Sequence, residues 1–190
     1  MKTPLKVKAL KISQKLIGLK LPTNLHGHAG RALEQILEDN NIKINRGYGV
    51  DIEILGVEVK TRELGATSSQ TIADMSLDDI INNDYQKSHV YEKCQRQFRV
   101  HTNNNVIVSA EIYDFSTKPI QTLLETAYNH ARQQLIKNKG LTYTNYNGFY
   151  GYFEKCAGHT SYSFRLSNTD MKTIEKMAKC TYTTMFSEVA

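Results

Sequence analysis

The sequence predicts an α/β chain in which a mostly antiparallel β-sheet is flanked by helices. Three observations carry this. Short runs at 50–54, 57–59, 91–100 and 106–113 read as strands, with Gly49, Gly56 and Asn103-Asn104-Asn105 marking turns between them. A stripe with helical spacing, Ile120, Leu123, Leu124, Ala127, Ala131 and Leu135, runs through residues 119–139. The chain shows no internal repeat, no long low-complexity linker and no apolar run of membrane-spanning length. Its 190 residues suffice for one domain with a real core.

In chain order, the first segment is distinguished by its charge. No acidic residue occurs before Glu34, and Lys2, Lys6, Lys8, Lys11, Lys15 and Lys20 are interleaved with Leu5, Val7, Leu10, Ile12, Leu16, Ile17 and Leu19. This pattern predicts an amphipathic element with its own core contact. Its basic side suits phosphate, or simple solvation, and less well a membrane surface. The net charge of the whole chain is +5. No signal-peptide pattern is present, and Cys94, Cys156 and Cys180 form no CxxC pair. The expectation is therefore a cytoplasmic protein with free thiols, no zinc site and no membrane partner.

Leu33, Ile36 and Leu37 make the apolar stripe of a second helix, which breaks at Asp39-Asn40-Asn41. Glu34 borders that stripe, with Gly30 one turn earlier. It reads either as a carboxylate reaching towards a neighbouring strand or as an ordinary surface residue. Residues 50–62 then form two alternating runs about Leu55-Gly56, which predicts an antiparallel hairpin. Val50, Ile52 and Ile54 share one side with Val57 and Val59, leaving Asp51, Glu53, Glu58 and Lys60 on the polar faces. Across such a hairpin Asp51 approaches Glu58, with Lys60 two residues on. Two carboxylates and an ammonium so placed suit a Mg²⁺ ion beside a cation that orients a water. The same residues also suit a solvated ion-pair ladder.

The order Gly-Arg-Ala-Leu-Glu34, Asp51 and Leu-Gly-Val-Glu58-Val-Lys60-Thr61 resembles the nuclease core of the PD-(D/E)xK superfamily. Within it, the pattern is most similar to MutH and related GATC-cutting type II restriction endonucleases. The resemblance covers residues 26–62, and the Pro that precedes the Asp in the family is Val50 here. It implies a restriction-endonuclease-like fold with a central mixed, mostly antiparallel sheet. It also implies a Mg²⁺-dependent DNA endonuclease, with Mn²⁺ as a substitute ion, that leaves 5′-phosphate ends. Asp51 and Glu58 are the implied metal ligands, joined by Glu34 and the Val59 carbonyl, and Lys60 is the implied partner of the attacking water. A further lysine in a comparable family strand makes Lys93 a candidate second cation near the scissile phosphate.

The remaining elements are read with DNA in view. Residues 61–88 are poor in apolar positions and read mostly as loop, with a short helix over 74–81. Arg62, Ser69 and Gln70 carry groups suited to phosphate or base edges. The runs at 91–100 and 106–113 read as strands joined by Thr102-Asn103-Asn104-Asn105, extending the sheet beside the hairpin. Thr117 or Ser116 caps the 119–139 helix, and Lys139-Gly140 ends it. Tyr143, Tyr146, Phe149, Tyr150, Tyr152 and Phe153 then alternate with Asn and Gly, as stacking residues for bases or as hairpin core. Phe164-Arg165-Leu166 reads as a strand, and Ser167-Asn168-Thr169-Asp170 caps a closing helix to about Lys179.

Together these readings predict a single nuclease domain with its catalytic core at about 26–140. Residues 141–190 would form a DNA-binding lobe using Tyr146, Tyr150 and Arg165. Restriction, MutH-like nicking and phage destruction of host DNA are open within that class, in a bacterial or phage-infected cell. A monomer would nick or cut sequentially, and a homodimer would cut both strands of a palindrome. The alternative is a basic nucleic-acid-binding protein without catalysis.

Overall fold

Two three-stranded sheets, rather than one central sheet, organise the helices of this mixed α and β chain. A computed structural model of the protein describes residues 5–22, 29–46, 49–138, 151–156 and 158–187. These residues divide into two units, each drawn from separate stretches of chain. The first comprises described residues of 1–66 and 96–113, and the second those of 67–95 and 114–190.

In the first unit, α1 (Leu5–Leu16) and α2 (Ala29–Asp39) accompany strands β1 (Glu58–Glu63), β3 (Arg96–Asn103) and β4 (Val106–Asp114). The sheet order is β1-β3-β4. β1 and β3 are parallel, from Glu58 opposite Gln97 to Glu63 opposite Thr102. Between β3 and β4, Asn104 and Asn105 both have positive φ, 51° and 63°. A two-residue hairpin turn needs that left-handed pair, and Asn is one of the few residues that adopts it readily. Leu16, Leu33, Leu37, Ile52, Phe98, Val100 and Ile107 lie in the buried core of this unit. Residues 18–21 run along β4: Gly18 N–H donates to Ile107 O at 2.8 Å, and Ile107 N–H to Leu19 O at 2.9 Å. They shield an edge that would otherwise be open to other strands.

The hairpin expected over 50–62 is reduced to one antiparallel bridge, Ile52 with Val57. Residues 53–56 wind into a tight turn, with Gly56 N–H donating to Glu53 O at 3.0 Å and Gly56 at φ 64°. Ile54 therefore points outward, 69% exposed, instead of joining Ile52 in the core. β1 takes its ladder from β3 instead.

In the second unit, strands β2 (Gln70–Ser76), β5 (Gly151–Lys155) and β6 (Ser161–Leu166) pair antiparallel in the order β2-β6-β5. The helices are α3 (Leu77–Asn82), α4 (His89–Lys93), α5 (Lys118–Lys137) and α6 (Asn168–Ser187). Tyr128 of α5 stacks edge-on against Phe153 and Phe164, with ring centroids 5.7 and 5.8 Å away. Gly151 is required here: a Cβ would lie 2.2 Å from the Phe164 ring.

Three local readings change. Within 61–88 the chain forms the rest of β1, all of β2 and α3. The expected 74–81 helix is strand up to Ser76, whose Oγ accepts from Asp79 N–H at 3.1 Å and so starts α3 one residue later. Residues 89–93, expected partly as strand, are the one-turn helix α4, started by Ser88 Oγ accepting from Tyr91 N–H at 3.3 Å. The closing helix runs past Lys179 to Ser187. α5 matches its predicted span to within two residues, and its Asn138 cap replaces Lys139-Gly140, which lie outside the described residues. Among the described residues, no helix is long and apolar enough to cross a membrane.

Candidate active site

Alternation along β1 sends Glu58, Lys60 and Arg62 to one face and Val59 into the core. The parallel register lays these three beside Gln97, Arg99 and His101 of β3. Parallel partners share a face, so two strands present one patch of six polar side chains. It is not a solvated ladder, because Glu58 and Arg99 are each 3% exposed and Gln97 is fully buried.

The contacts within the patch are specific. Lys60 Nζ lies 2.8 Å from Glu58 Oε1, and the Lys60 side chain stays 23% exposed. Arg99 Nε donates to Gln97 Oε1 at 3.1 Å, and His101 Nδ1 meets Ser109 Oγ at 3.1 Å. Asp51 lies one step back from the Ile52–Val57 bridge, across from Glu58. Its Oδ2 accepts from Val59 N–H at 2.8 Å, and its carbonyl accepts from Asn45 N–H at 2.8 Å. That anchoring holds one carboxylate beside the backbone that carries the other. The patch mixes both signs of charge, with Asp51 and Glu58 beside Lys60, Arg62 and Arg99. A buried ion pair rarely stabilises a fold better than apolar residues of the same volume.

Glu34 is half-buried on α2. Among the described residues, no group of three or more His, Cys, Asp or Glu side chains comes together to hold a metal. Glu34 is thus not drawn into a shared cluster with Asp51 and Glu58. Glu53 lies exposed in the turn, and Arg62 donates to Ala66 O at 2.7 Å.

The other candidates sit in the second unit. Lys93 ends α4 and is on no strand. Gln70 opens β2 opposite Leu166 and is buried. Ser69 Oγ accepts from the Tyr152 hydroxyl at 2.5 Å, and its carbonyl accepts from Arg165 at 3.1 Å. Arg165 also pairs with Glu154 across β5 and β6. Tyr146 and Tyr150 lie outside the described residues. Neither Cys94 nor Cys156 is in a disulfide.

Gln97 and Arg99 were missed by sequence reasoning. Their signal was present, since they alternate with Phe98 and Val100, but it acquires meaning only once β1 and β3 are paired.

On the first unit, a cleft of about 670 Å³ runs between α1, residues 41–46 and the turn at 53–55. Ile12, Ile42, Ile44 and Leu55 line it, and Lys11, Lys43 and Arg46 supply its cations. Comparison with protein-family models and with curated proteins finds no match to this chain.

Proposed function

We propose that this chain is a Mg²⁺-dependent DNA endonuclease of the PD-(D/E)xK type. The observation that carries the reading is the pair of buried Glu58 and half-buried Lys60, 2.8 Å apart, with Asp51 tied to the intervening residue by Val59 N–H. The donor set fits the ion. Two carboxylates, with no histidine or cysteine grouped with them among the described residues, suit a hard cation that keeps its waters and takes a phosphate oxygen as a further ligand. The missing third carboxylate is no obstacle, because Mg²⁺ commonly uses only one or two. Bound there, the ion would lower the pKa of a water and neutralise charge growing on the phosphate.

The chain's own groups do the rest. Asp51 and Glu58 would hold the ion, and their anchoring by Val59 N–H and by burial keeps the ligands from relaxing away. Lys60, whose side chain keeps 23% exposure, orients the attacking water. Arg99, fixed by Gln97, keeps a positive charge on the face towards which the phosphate comes. In-line attack leaves a 5′-phosphate and a 3′-hydroxyl. The basic α1 segment and the Lys11, Lys43 and Arg46 cleft are suited to flanking phosphates. The lack of a third described carboxylate favours one rival reading, a nucleic-acid-binding protein that does not cut.

Supercoiled plasmid and single-stranded circular DNA, each in Mg²⁺ and in EDTA, separate the two readings. The nuclease gives Mg²⁺-dependent nicks or fragments, and Asp51→Ala and Lys60→Ala each reduce cleavage by at least about a hundredfold. DNA binding in EDTA stays near the unsubstituted level. Salt-sensitive binding without cleavage of either DNA would establish the rival. Full cleavage by either variant would remove these residues from the site.

A further inference from the structure

We propose that Lys60 is the resident counter-ion of the carboxylate site and leaves Glu58 when a divalent cation binds. This rests on the reading of Asp51 and Glu58 as metal ligands. Lys60 Nζ sits 2.8 Å from Glu58 Oε1, on the carboxylate a divalent ion would use. A dication at ligand distance from the same carboxylate would face the ammonium at close range, and like charges in a covered site repel strongly. Separating the two cations relieves that repulsion.

The surroundings decide which cation moves. Glu58 is held in place, 3% exposed on a strand whose next N–H is taken by Asp51. Arg99, the register neighbour of Lys60, is equally buried and its Nε is bonded to Gln97. A buried, planar guanidinium held by Gln97 does not yield easily. Lys60 alone in this group combines partial exposure with a flexible four-carbon stem, and the adjacent Arg99 charge favours its departure. Two functions follow from one side chain. Before the ion arrives, Lys60 compensates a buried carboxylate that would otherwise be costly. After exchange, its ammonium is released to the open side of the patch, where water and phosphate would lie. The water-orienting group is thereby delivered only to sites whose ligands are in use.

The test is direct calorimetric titration of the full chain with Mg²⁺, and separately with Ca²⁺, without DNA at pH 8. Lys60→Met should bind either ion about tenfold more tightly than the unsubstituted protein, because a competing charge is gone. Lys60→Arg, which keeps the charge, should bind no more tightly. In the unsubstituted protein, the Lys60 side-chain NH₃⁺ resonance should shift on addition of Mg²⁺, a readout that does not depend on any variant folding. Equal or weaker binding by folded Lys60→Met, or an unmoved Lys60 resonance at saturating Mg²⁺, overturns the exchange. Glu58→Gln and Asp51→Asn test the underlying site separately. Each should lose most of the binding, and undiminished binding by both would remove the carboxylate site and the exchange with it.

Discussion

The two sheets of this protein bury opposite chemistry. In the second unit, the covered face of β5 and β6 meets Tyr128 through Phe153 and Phe164, while the Arg165–Glu154 pair lies across the same strands on partly exposed side chains. In the first unit, β1 and β3 bury an apolar face, yet their polar face is covered too at Glu58, Gln97 and Arg99. One chain thus contains an ordinary solution to sheet packing and a costly one. In the second sheet the charged side chains Asp74, Glu154, Lys155 and Arg165 stay at least partly exposed, whereas β1 and β3 cover Glu58 and Arg99.

The comparison can be broken most sharply at Phe164. Phe164→Ala removes a fully buried ring shared by two aromatic neighbours, and should cost about 3–5 kcal/mol of stability in denaturant unfolding. A loss below about 1 kcal/mol would mean the aromatic cluster is not what holds that unit.

The matching change in the first unit has the opposite expectation. The double replacement Glu58→Met with Lys60→Met removes both charges of the pair while roughly keeping volume. Stability should stay level or rise by about 1–4 kcal/mol, while cleavage and metal binding vanish. A large loss of stability would make the pair structural and return the patch to scaffold.

The smallest effect lies at the end of β1. Glu63 Oε1 accepts from Asn104 N–H at 2.7 Å, and the Thr102 hydroxyl bonds to its other oxygen. The Thr102 bond is the largest influence and holds the Glu63 carboxyl below its ordinary value of 4.5; desolvation opposes it, and the smaller contributions of the Asn104 and Asn105 N–H groups add to the lowering. A carboxyl depressed on folding adds stability above its unfolded pKa, and loses it as pH falls through the lower folded value. Glu63→Gln should therefore flatten the acid limb of a stability–pH curve below about 4.5, with little change at pH 7. An unchanged acid limb would show that the β3–β4 turn does not depend on this ionisation.

Much of the local structure was legible. The 3.6-residue stripe of α5 and the capping residues of α6 act within a few neighbours, so their sequence signals survive folding: Ser167 Oγ accepts from Asp170 N–H at 3.0 Å. Asp51, Glu58 and Lys60 could be read as a set for the same reason, since a short turn separates them. β2 was illegible because its partner β6 is nearly a hundred positions away, as the Ser163–Asp74 and Arg165–Ser69 bonds record (separations of 89 and 96), and its own residues carry little apolar signal. Ile54 misled because the alternation continued by one residue into a turn.

The sequence by itself determined which residues carry charge near Gly56, where the long helices begin, and that the N-terminal segment is basic. Each follows from interactions within one or two turns of chain. Only the tertiary structure decided that β1 runs parallel to β3, that Gln97 and Arg99 stand beside Glu58 and Lys60, and that the sheet is divided in two. Parallel pairing joins residues with a long crossover between them, so its register is set by the packing of whole elements.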